Sequence, residues 1–351
     1  MGSGNGFHKG QLVGAVLAGS WRSSNYPPLE IAEVDLEEIT PLLCHFGAAA
    51  LAWRRIRETP WASSASAEVL HQSYRHQSLQ SEIHQQQVER VFRTLNERGI
   101  EALLFKGWAA STLYYQNELR PTGDIDVIVR AEQFDQAEEL LYSGEASDCN
   151  VDLHKRFSEI PDRSFDELFA RSRVLPLGSQ SVRILGPEDH MALLCVHFLK
   201  HGAWRPVWLC DVAAGVESAD HNFDWNVCFG RSKTRRGWIL AAISLARVFL
   251  KADTSNCPAA VQKPLPAWLT ESVLRQWSDP RLIDLAPLNH PVPMSQLLRR
   301  PRGLLEGLRQ RWPNPILATI SVNGEINNLP RLPYQMANWL FRLKRLIVPS
   351  D

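Results

Sequence analysis

The stretch FKGWAASTLYYQNELRPTGDIDVIV, residues 105–129, decides the fold because it joins two short apolar segments through a helix-like segment. It opens on the pair Lys106 and Gly107 and closes on an Asp-x-Asp pair, Asp124 and Asp126. In the alternating run DIDVIV, both carboxylates lie on one face of the predicted strand and three branched residues lie on the other. A strand that otherwise looks buried therefore carries two acids that point the same way.

The residues on either side predict that this strand belongs to a small α/β core. EALLFKG predicts a buried strand and WAASTLYYQ a helix, while EQFDQAEELLY predicts a second helix and CNVDLHKRF a third strand. Upstream, Val88, Val91, Phe92 and Leu95 form one helical face, and Gly99 stands where a helix ends. Downstream, PEDHMALLCVHFLKHG begins with Pro and acids and ends with Gly, which is typical of a helix.

We therefore predict an α+β fold in which an α/β core with a small mixed sheet is flanked by mostly helical segments. Residues 1–98 form the predicted N-terminal helical segment, residues 99–157 the core, and residues 158–351 the C-terminal helical region. Within the last segment, residues 278–303 are rich in Pro, Arg and Leu and predict a loop or an irregular linker.

Composition excludes several classes of protein. The 351 residues carry 38 basic and 38 acidic side chains, so the net charge is zero and there is no strong nucleic-acid signal. The six cysteines show no Cys-x-x-Cys spacing, which favours reduced thiols. No apolar run reaches the roughly 20 residues of a membrane helix, and the N-terminus lacks a secretory signal. We expect a cytoplasmic protein without a transmembrane segment.

The two aspartates need a cation nearby. Alternate strand residues are about 6.6 Å apart, and two buried carboxylates at that spacing are costly unless a positive charge lies between them. Oxygen ligands favour a hard divalent ion, Mg²⁺ (or Mn²⁺), which also binds substrate phosphates. Asp152, on the predicted third strand, shares a face with Asn150 and His154 and supplies a third carboxylate if that strand lies alongside.

Lys106 and Gly107 stand where a strand ends and a helix begins. Glycine lets a phosphate approach the backbone, and the free N–H groups of the first helical turn favour an anion. A triphosphate held between this turn and metal ions on the aspartate strand has the arrangement of metal-assisted phosphoryl or nucleotidyl transfer.

Four segments, FKGWAASTLYY, RPTGDIDVIV, VDLHKRF and HFLKHGAWRPVWLCD, resemble the nucleotidyltransferase superfamily related to DNA polymerase β. More narrowly, the sequence resembles a bacterial group of uncharacterised nucleotidyltransferase-like proteins. The first three segments correspond to the catalytic core of that superfamily, and the fourth belongs to the helical part beyond it. The resemblance extends over residues 85–250.

The resemblance implies an enzyme that transfers a nucleotidyl group from an NTP to a hydroxyl-type acceptor, with pyrophosphate leaving. The acceptor class stays open between a small molecule, a sugar, a peptide and a protein. Asp124 and Asp126 would hold the metal ions, and Asp152 would either deprotonate the acceptor or hold the catalytic metal. Gly107 would form the nucleotide-binding turn. The phosphate-binding or positioning groups would be Lys106, Arg120 and Thr122.

One residue departs from the superfamily pattern. Trp108 follows Gly107, where relatives usually have Gly or Ser. This favours a second hypothesis, in which the protein is catalytically degenerate and binds a nucleotide or a partner within a biosynthetic cluster.

Histidines downstream leave several interpretations open. His197 and His201 form an H-x-x-x-H pair on one helical face, a spacing that can hold zinc and would make the protein a zinc hydrolase. The adjacent Glu of a metalloprotease helix is missing and no third ligand is obvious, so a polar patch on a packed helix is an alternative interpretation. The resemblance favours a third interpretation, in which His197 and His201 line the substrate side of the cleft with Arg205 and Asp211. His154 either faces the site beside the third-strand aspartate or caps its strand.

The segment NWLFRLKRLIVPS near the C-terminus predicts a basic amphipathic helix, with an apolar stripe of Trp339, Leu340, Leu343, Leu346 and Ile347. Such a helix packs against the rest of the protein or lies on an anionic membrane surface.

Overall fold

In the computed structural model, which describes residues 7–115, 119–279 and 312–347, the sequence folds around a five-stranded mixed sheet. The strand order is β3-β2-β1-β5-β4. β1 pairs antiparallel with β2 and parallel with β5, while β2 and β3 run parallel and β4 and β5 form an antiparallel hairpin. The strands are β1 Ala102–Leu104, β2 Ile125–Val129, β3 Val151–His154, β4 Arg173–Leu177 and β5 Gln180–Ile184.

Fourteen α-helices lie within the described residues, and they surround the sheet. Two short 3₁₀ helices, Ala131–Gln133 and Ala259–Gln262, accompany them. The α-helices are α1 His8–Leu17, α2 Glu33–His45, α3 Ala49–Ile56, α4 Ala65–Glu97, α5 Gly107–Tyr114, α6 Phe134–Ser143, α7 Phe165–Arg171, α8 Pro187–Lys200, α9 Pro206–Glu217, α10 Trp225–Phe229, α11 Lys233–Leu250, α12 Ala267–Ser278, α13 Pro315–Ser321 and α14 Leu332–Ile347.

Helix α4 connects the N-terminal helices to the sheet. Its first turn is capped by Ser64, whose side chain accepts a hydrogen bond from the backbone N–H of Ala67. It ends at Glu97 with Arg98 as its C-cap, and the next residue, Gly99, has a φ of +64°, the left-handed conformation expected of a glycine helix stop. The sequence prediction for the end of this helix is therefore confirmed.

The sheet separates two hydrophobic clusters. On one face, Ile125, Val127 and Val129 pack with the C-terminal half of α4 and with α6. On the other face, Leu103 and Ile128 join a larger cluster that contains α1, α2, α8, α9 and α11. Because helices cover both faces, all five residues of β2 are buried.

The predicted fold class is confirmed, since a small mixed sheet lies among helices. One element was not predicted: the hairpin of β4 and β5 follows residue 157, where the sequence predicted helices, and β5 pairs with β1. The three-segment division at residues 98 and 157 stays a prediction. The predicted linker at 278–303 falls almost entirely outside the described residues.

Helix α14 confirms that the C-terminal segment is helical. Leu340 and Phe341 are more than half exposed, while the side chains of Leu343, Leu346 and Ile347 lie outside the described residues. The choice between packing and membrane contact therefore stays open. In the described part of the chain, none of the helices has the length and apolarity needed to cross a membrane.

A buried ion pair ties the loop before β2 to α9. Arg120 donates from Nε to Asp211 Oδ1 at 2.7 Å and from Nη2 to Asp211 Oδ2 at 2.8 Å. Tyr115 donates its hydroxyl to the same Oδ1 at 2.8 Å. The Asp211 side chain is fully buried and that of Arg120 is 5% exposed. Because burying either charge alone would be strongly destabilising, the two are buried as a pair. Together they hold in place the loop that leads into the aspartate strand.

Replacing one partner of this pair should be costly. In Asp211→Ala, the buried guanidinium of Arg120 loses its counter-charge, so we expect the free energy of unfolding to fall by about 3–5 kcal/mol. Chemical denaturation monitored by tryptophan fluorescence measures this. The matched control is Glu38→Ala, which breaks the exposed Lys9–Glu38 pair and should cost less than about 1 kcal/mol. Equal losses in the two variants would contradict the prediction.

Candidate functional site

Asp126 and Asp152 face each other across the parallel pair of β2 and β3. The strand register places the two residues directly opposite, one on each strand. Asp126 is 3% exposed, whereas the side chain of Asp152 is 52% exposed. The site is therefore buried at Asp126 and open to solvent at Asp152.

His154 lies on the same face of β3 as Asp152, two residues further on. Its ring meets the ring of Phe105 edge-on, with centroids 5.3 Å apart. Nε2 lies 3.0 Å from Asp152 Oδ2 and 3.7 Å from Asp126 Oδ1. This nitrogen is buried, yet the angles give it no regular hydrogen bond with a described residue. Of the two interpretations of His154, the structure favours the one in which it faces the site.

Lys106 supplies the positive charge next to Asp126. Its ammonium donates to Asp126 Oδ1 at 2.7 Å and lies 4.9 Å from the centre of the Phe105 ring. The residue caps the N-terminus of α5 with φ +53° and ψ −124°, a backbone conformation that a non-glycine residue rarely adopts. Such a conformation costs about 1–3 kcal/mol and persists where the surroundings impose it.

The charges of the cluster support one another. Burial raises the pKa of Asp126, but the nearby His154 and Lys106 outweigh it and hold that pKa below its ordinary value. Burial lowers the pKa of His154, but Asp126 and Asp152 outweigh it and raise that pKa above its ordinary value. Asp126 is thus an anion, and its stability depends on cations in contact with it.

The cluster fits a divalent ion. Asp126, Asp152 and His154 each offer one donor atom, and these atoms all lie within 4.8 Å of one another. Within the described part of the chain, this is the group of three or more His, Cys, Asp or Glu side chains whose donor atoms lie that close together. Nε2 of His154 is buried and makes no regular hydrogen bond with a described residue, and a metal ion satisfies such an atom.

The side chain of Asp124 does not belong to the group of donor atoms formed by the other candidate metal ligands. It precedes β2, is exposed, and is not part of the three-residue group. Its carbonyl oxygen lies 3.3 Å from His84 Nε2 of α4, and a Cβ added to Gly107 would lie 3.5 Å from that oxygen. The turn at Asp124 thus packs against the first residue of α5. A metal-binding role for its side chain stays a prediction.

The predicted phosphate groups fall into two sets. Gly107 begins α5 as expected, and the first backbone hydrogen bond of that helix is donated by Ala110 to the carbonyl of Lys106. Thr122 Oγ1 is buried without a hydrogen-bond partner among the described residues. Arg120, in contrast, uses Nε and Nη2 for Asp211 and Nη1 for its neighbour's carbonyl, so each of its three guanidinium nitrogens already has a partner within the protein.

Trp108 lies at the first turn of α5, but its side chain points away from the cluster. It is 6% exposed and packs with Leu104, Ile125 and other residues on the α4 side of the sheet. Asp126 belongs to the opposite face. The tryptophan side chain therefore fills the core, and its ring does not cover the helix N-terminus.

Arg205 is the guanidinium whose terminal nitrogens stay available. Its Nε donates to the carbonyl of Phe46 at 3.1 Å, and among the described residues this is its one hydrogen bond. Gly47, with φ +68°, makes room for it, since a Cβ there would lie 2.8 Å from Arg205 Nη2. Burial lowers the pKa of Arg205, and the nearby Arg120 lowers it further, while Asp211 and Asp124 raise it. A Cβ at Gly47 would also lie 3.3 Å from Pro121 Cγ, so Arg205 lies beside the loop that leads into β2.

Glu159 is a site residue that the sequence analysis missed. It is buried and accepts hydrogen bonds from Lys200 at 3.0 Å and from Ser158 at 2.9 Å. Its Oε1 is 4.0 Å from His197 Nδ1. Burial raises the pKa of Glu159, but His197 and Lys200 outweigh it and hold that pKa far below its ordinary value. A carboxylate between the apolar residues of RFSEI was the signal that could have identified it.

His197 and His201 do lie side by side, with ring centroids 4.5 Å apart, and both rings contact Trp208. Burial lowers the pKa of His197, and burial together with His197 and Lys200 lowers the pKa of His201 to about 3. Both imidazoles are therefore neutral at pH 7. With Glu159 they do not bring three donor atoms within 4.8 Å, so the zinc hydrolase hypothesis gains no third ligand.

These features are those of a nucleotidyltransferase-like core: carboxylates paired across parallel strands, beside a helix that begins at a glycine. The chain matches a family described as uncharacterised nucleotidyltransferase over residues 32–244, and it belongs to that family. No curated protein and no solved structure matches the chain. The resemblance stated from the four segments is thereby confirmed.

The position of Trp108 generates a prediction. Trp108→Ala should lower the free energy of unfolding by about 3–5 kcal/mol because it empties a core site. Because the ring does not cover the helix N-terminus, the dissociation constant for an NTP should change by less than about threefold. Calorimetric titration at a temperature where the variant is folded measures binding, and Trp108→Phe, which keeps an aromatic ring and leaves a smaller cavity, serves as the control. A folded variant that loses binding would contradict this account.

Proposed function

We propose that the protein transfers a nucleotidyl group from an NTP to a hydroxyl-type acceptor, with the help of a divalent ion bound at Asp126 and Asp152. The observation that carries the proposal is the register of β2 and β3, which places Asp126 opposite Asp152 beside the N-terminus of α5. Membership of a nucleotidyltransferase family supports the reaction class. The acceptor is a small molecule, a sugar, a peptide or a protein.

In this reaction, the acceptor oxygen forms a bond to the α-phosphorus of the NTP while the bond from that phosphorus to the pyrophosphate oxygen breaks. The hydroxyl proton leaves to a base, and Asp152, half-exposed at the open side of the site, is the residue placed to accept it. A bound divalent ion would supply charge stabilisation for the phosphates and acidify the attacking hydroxyl.

The chain's own cations have distinct tasks in this proposal. Lys106, in contact with Asp126, keeps that carboxylate ionised and lies where it can turn to a phosphate of the substrate. The free N–H groups at the start of α5, together with Gly107, bind a phosphate oxygen. Thr122, with its unpaired hydroxyl, is a further donor. Arg120 positions the loop through Asp211 and does not contact the nucleotide.

Transfer of label from an α-³²P-labelled NTP, with Mg²⁺ or Mn²⁺ and a panel of hydroxyl acceptors, tests the proposal. Asp126→Asn removes the buried charge of the metal site and should reduce product formation at least about 100-fold. The matched control is Asp135→Asn, an exposed aspartate paired with Lys155 at the surface, which should retain full activity. If the wild type forms no labelled product with any acceptor and Asp126→Asn binds NTP as well as the wild type, the proposal fails.

The degenerate-binder hypothesis keeps one supporting observation, since Asp124 lies outside the three-residue group. In that case the protein binds an NTP or a partner without turnover. Calorimetry separates the two proposals, because binding of NTP that does not depend on the divalent ion supports the degenerate binder.

Arg205 replaces Arg120 as the proposed phosphate contact. Its terminal nitrogens make no hydrogen bond with a described residue, and it lies beside the loop that leads into β2. Because a charge-assisted hydrogen bond contributes about 1.5–3 kcal/mol, Arg205→Ala should weaken NTP binding by about 10- to 100-fold. Calorimetric titration measures this, and thermal melting checks that the variant is folded.

The control for Arg205 is Arg57→Ala, which removes a guanidinium that is 49% exposed and paired with Glu58. We expect this variant to bind NTP as the wild type does. Unchanged NTP binding in folded Arg205→Ala would refute the assignment of Arg205.

A further inference from the structure

The three-residue group contains a nitrogen donor. Two of its donors are carboxylate oxygens, from Asp126 and Asp152, and the third is the imidazole of His154. Sequence analysis predicted three carboxylates, which suit Mg²⁺. An imidazole suits first-row transition ions, whereas Mg²⁺ takes oxygen ligands. The donor set therefore bears on which ion the site selects.

The structure holds the His154 ring in a defined place. The edge-on contact with Phe105, at 5.3 Å between centroids, limits rotation of the imidazole. Phe105 is itself fixed by Phe157, whose ring lies edge-on at 4.7 Å. The ring thus keeps Nε2 buried and close to one oxygen of each aspartate.

A purely structural role for His154 does not explain the position of its Nε2 atom. If His154 served only to neutralise Asp152, a regular hydrogen bond from Nε2 to the carboxylate would be expected at 3.0 Å, but the angles do not give one. Asp126 already has Lys106 as its partner. An imidazole nitrogen that is buried close to one oxygen of each carboxylate, and that makes a regular hydrogen bond with neither, is instead positioned to bind a metal ion, which displaces its proton.

We propose that His154 Nε2 is a metal ligand and that it makes the site prefer a first-row transition ion, represented by Mn²⁺, to Mg²⁺. The inference rests on the metal site of the proposed function and narrows the class of ion that this site takes. The inference concerns residues of this chain only, and it does not depend on which NTP or acceptor the protein uses.

Pulsed EPR of Mn²⁺ bound to the full-length protein, without nucleotide, tests the proposal directly. We expect a ¹⁴N coupling from a directly bound imidazole in the wild type and in His221→Ala, which removes an exposed histidine. The coupling should be absent in His154→Ala and in His154→Asp. A wild-type spectrum without this coupling, or a coupling that survives in both His154 variants, would overturn the proposal.

Competition between the two ions provides a second readout. In His154→Asp the donor set becomes all oxygen, so the ratio of the Mg²⁺ to the Mn²⁺ dissociation constant should fall by about tenfold or more. An unchanged ratio in the folded variant would also overturn the proposal. The two hypotheses fail separately: a nitrogen-bound Mn²⁺ without transfer activity refutes the enzyme, whereas activity with an ion that shows no nitrogen coupling refutes only the role of His154.

Discussion

The burial of the Asp126 carboxylate is the constraint on which the site depends. An ionised carboxylate that is 3% exposed is costly unless cations or hydrogen-bond donors surround it. The surrounding structure supplies these from two elements: Lys106 at the start of α5 and His154 on β3. The strained backbone of Lys106 and the register of β2 with β3 both make sense as means of bringing positive charge to one buried oxygen.

The two hydrophobic clusters hold the strands of the site from both faces of the sheet. The α4 side of the sheet packs the branched residues of β2 and the ring of Trp108, while the opposite face carries Asp126 among helices of the larger cluster. The loop before β2 is fixed by the Arg120–Asp211 pair and by contacts from α4. Movement of any of these elements would shift Asp126 relative to Asp152, so the packing of remote helices determines the distance between the donors.

Local sequence patterns predicted the sheet strands nearest the site, because alternation in DIDVIV and VDLH assigns faces directly. They placed Asp126, Asp152 and Gly107 correctly on their elements. They could not show that Asp124 precedes β2, because strand ends depend on pairing partners. They also could not show that Arg120 pairs with Asp211, which is 91 residues away in the sequence. Glu159 was missed for the same reason, since its partners His197 and Lys200 lie on α8.

The backbone of Lys106 has a consequence for the range of sequences that this fold tolerates. At φ +53° a glycine would relieve the steric strain, so selection for stability alone favours glycine at this position. Glycine, however, carries no ammonium to neutralise Asp126. At position 106, a glycine that makes the fold more stable would therefore remove the charge that compensates Asp126. A lysine in this conformation indicates that the sequence is constrained by the site as well as by the stability of the fold.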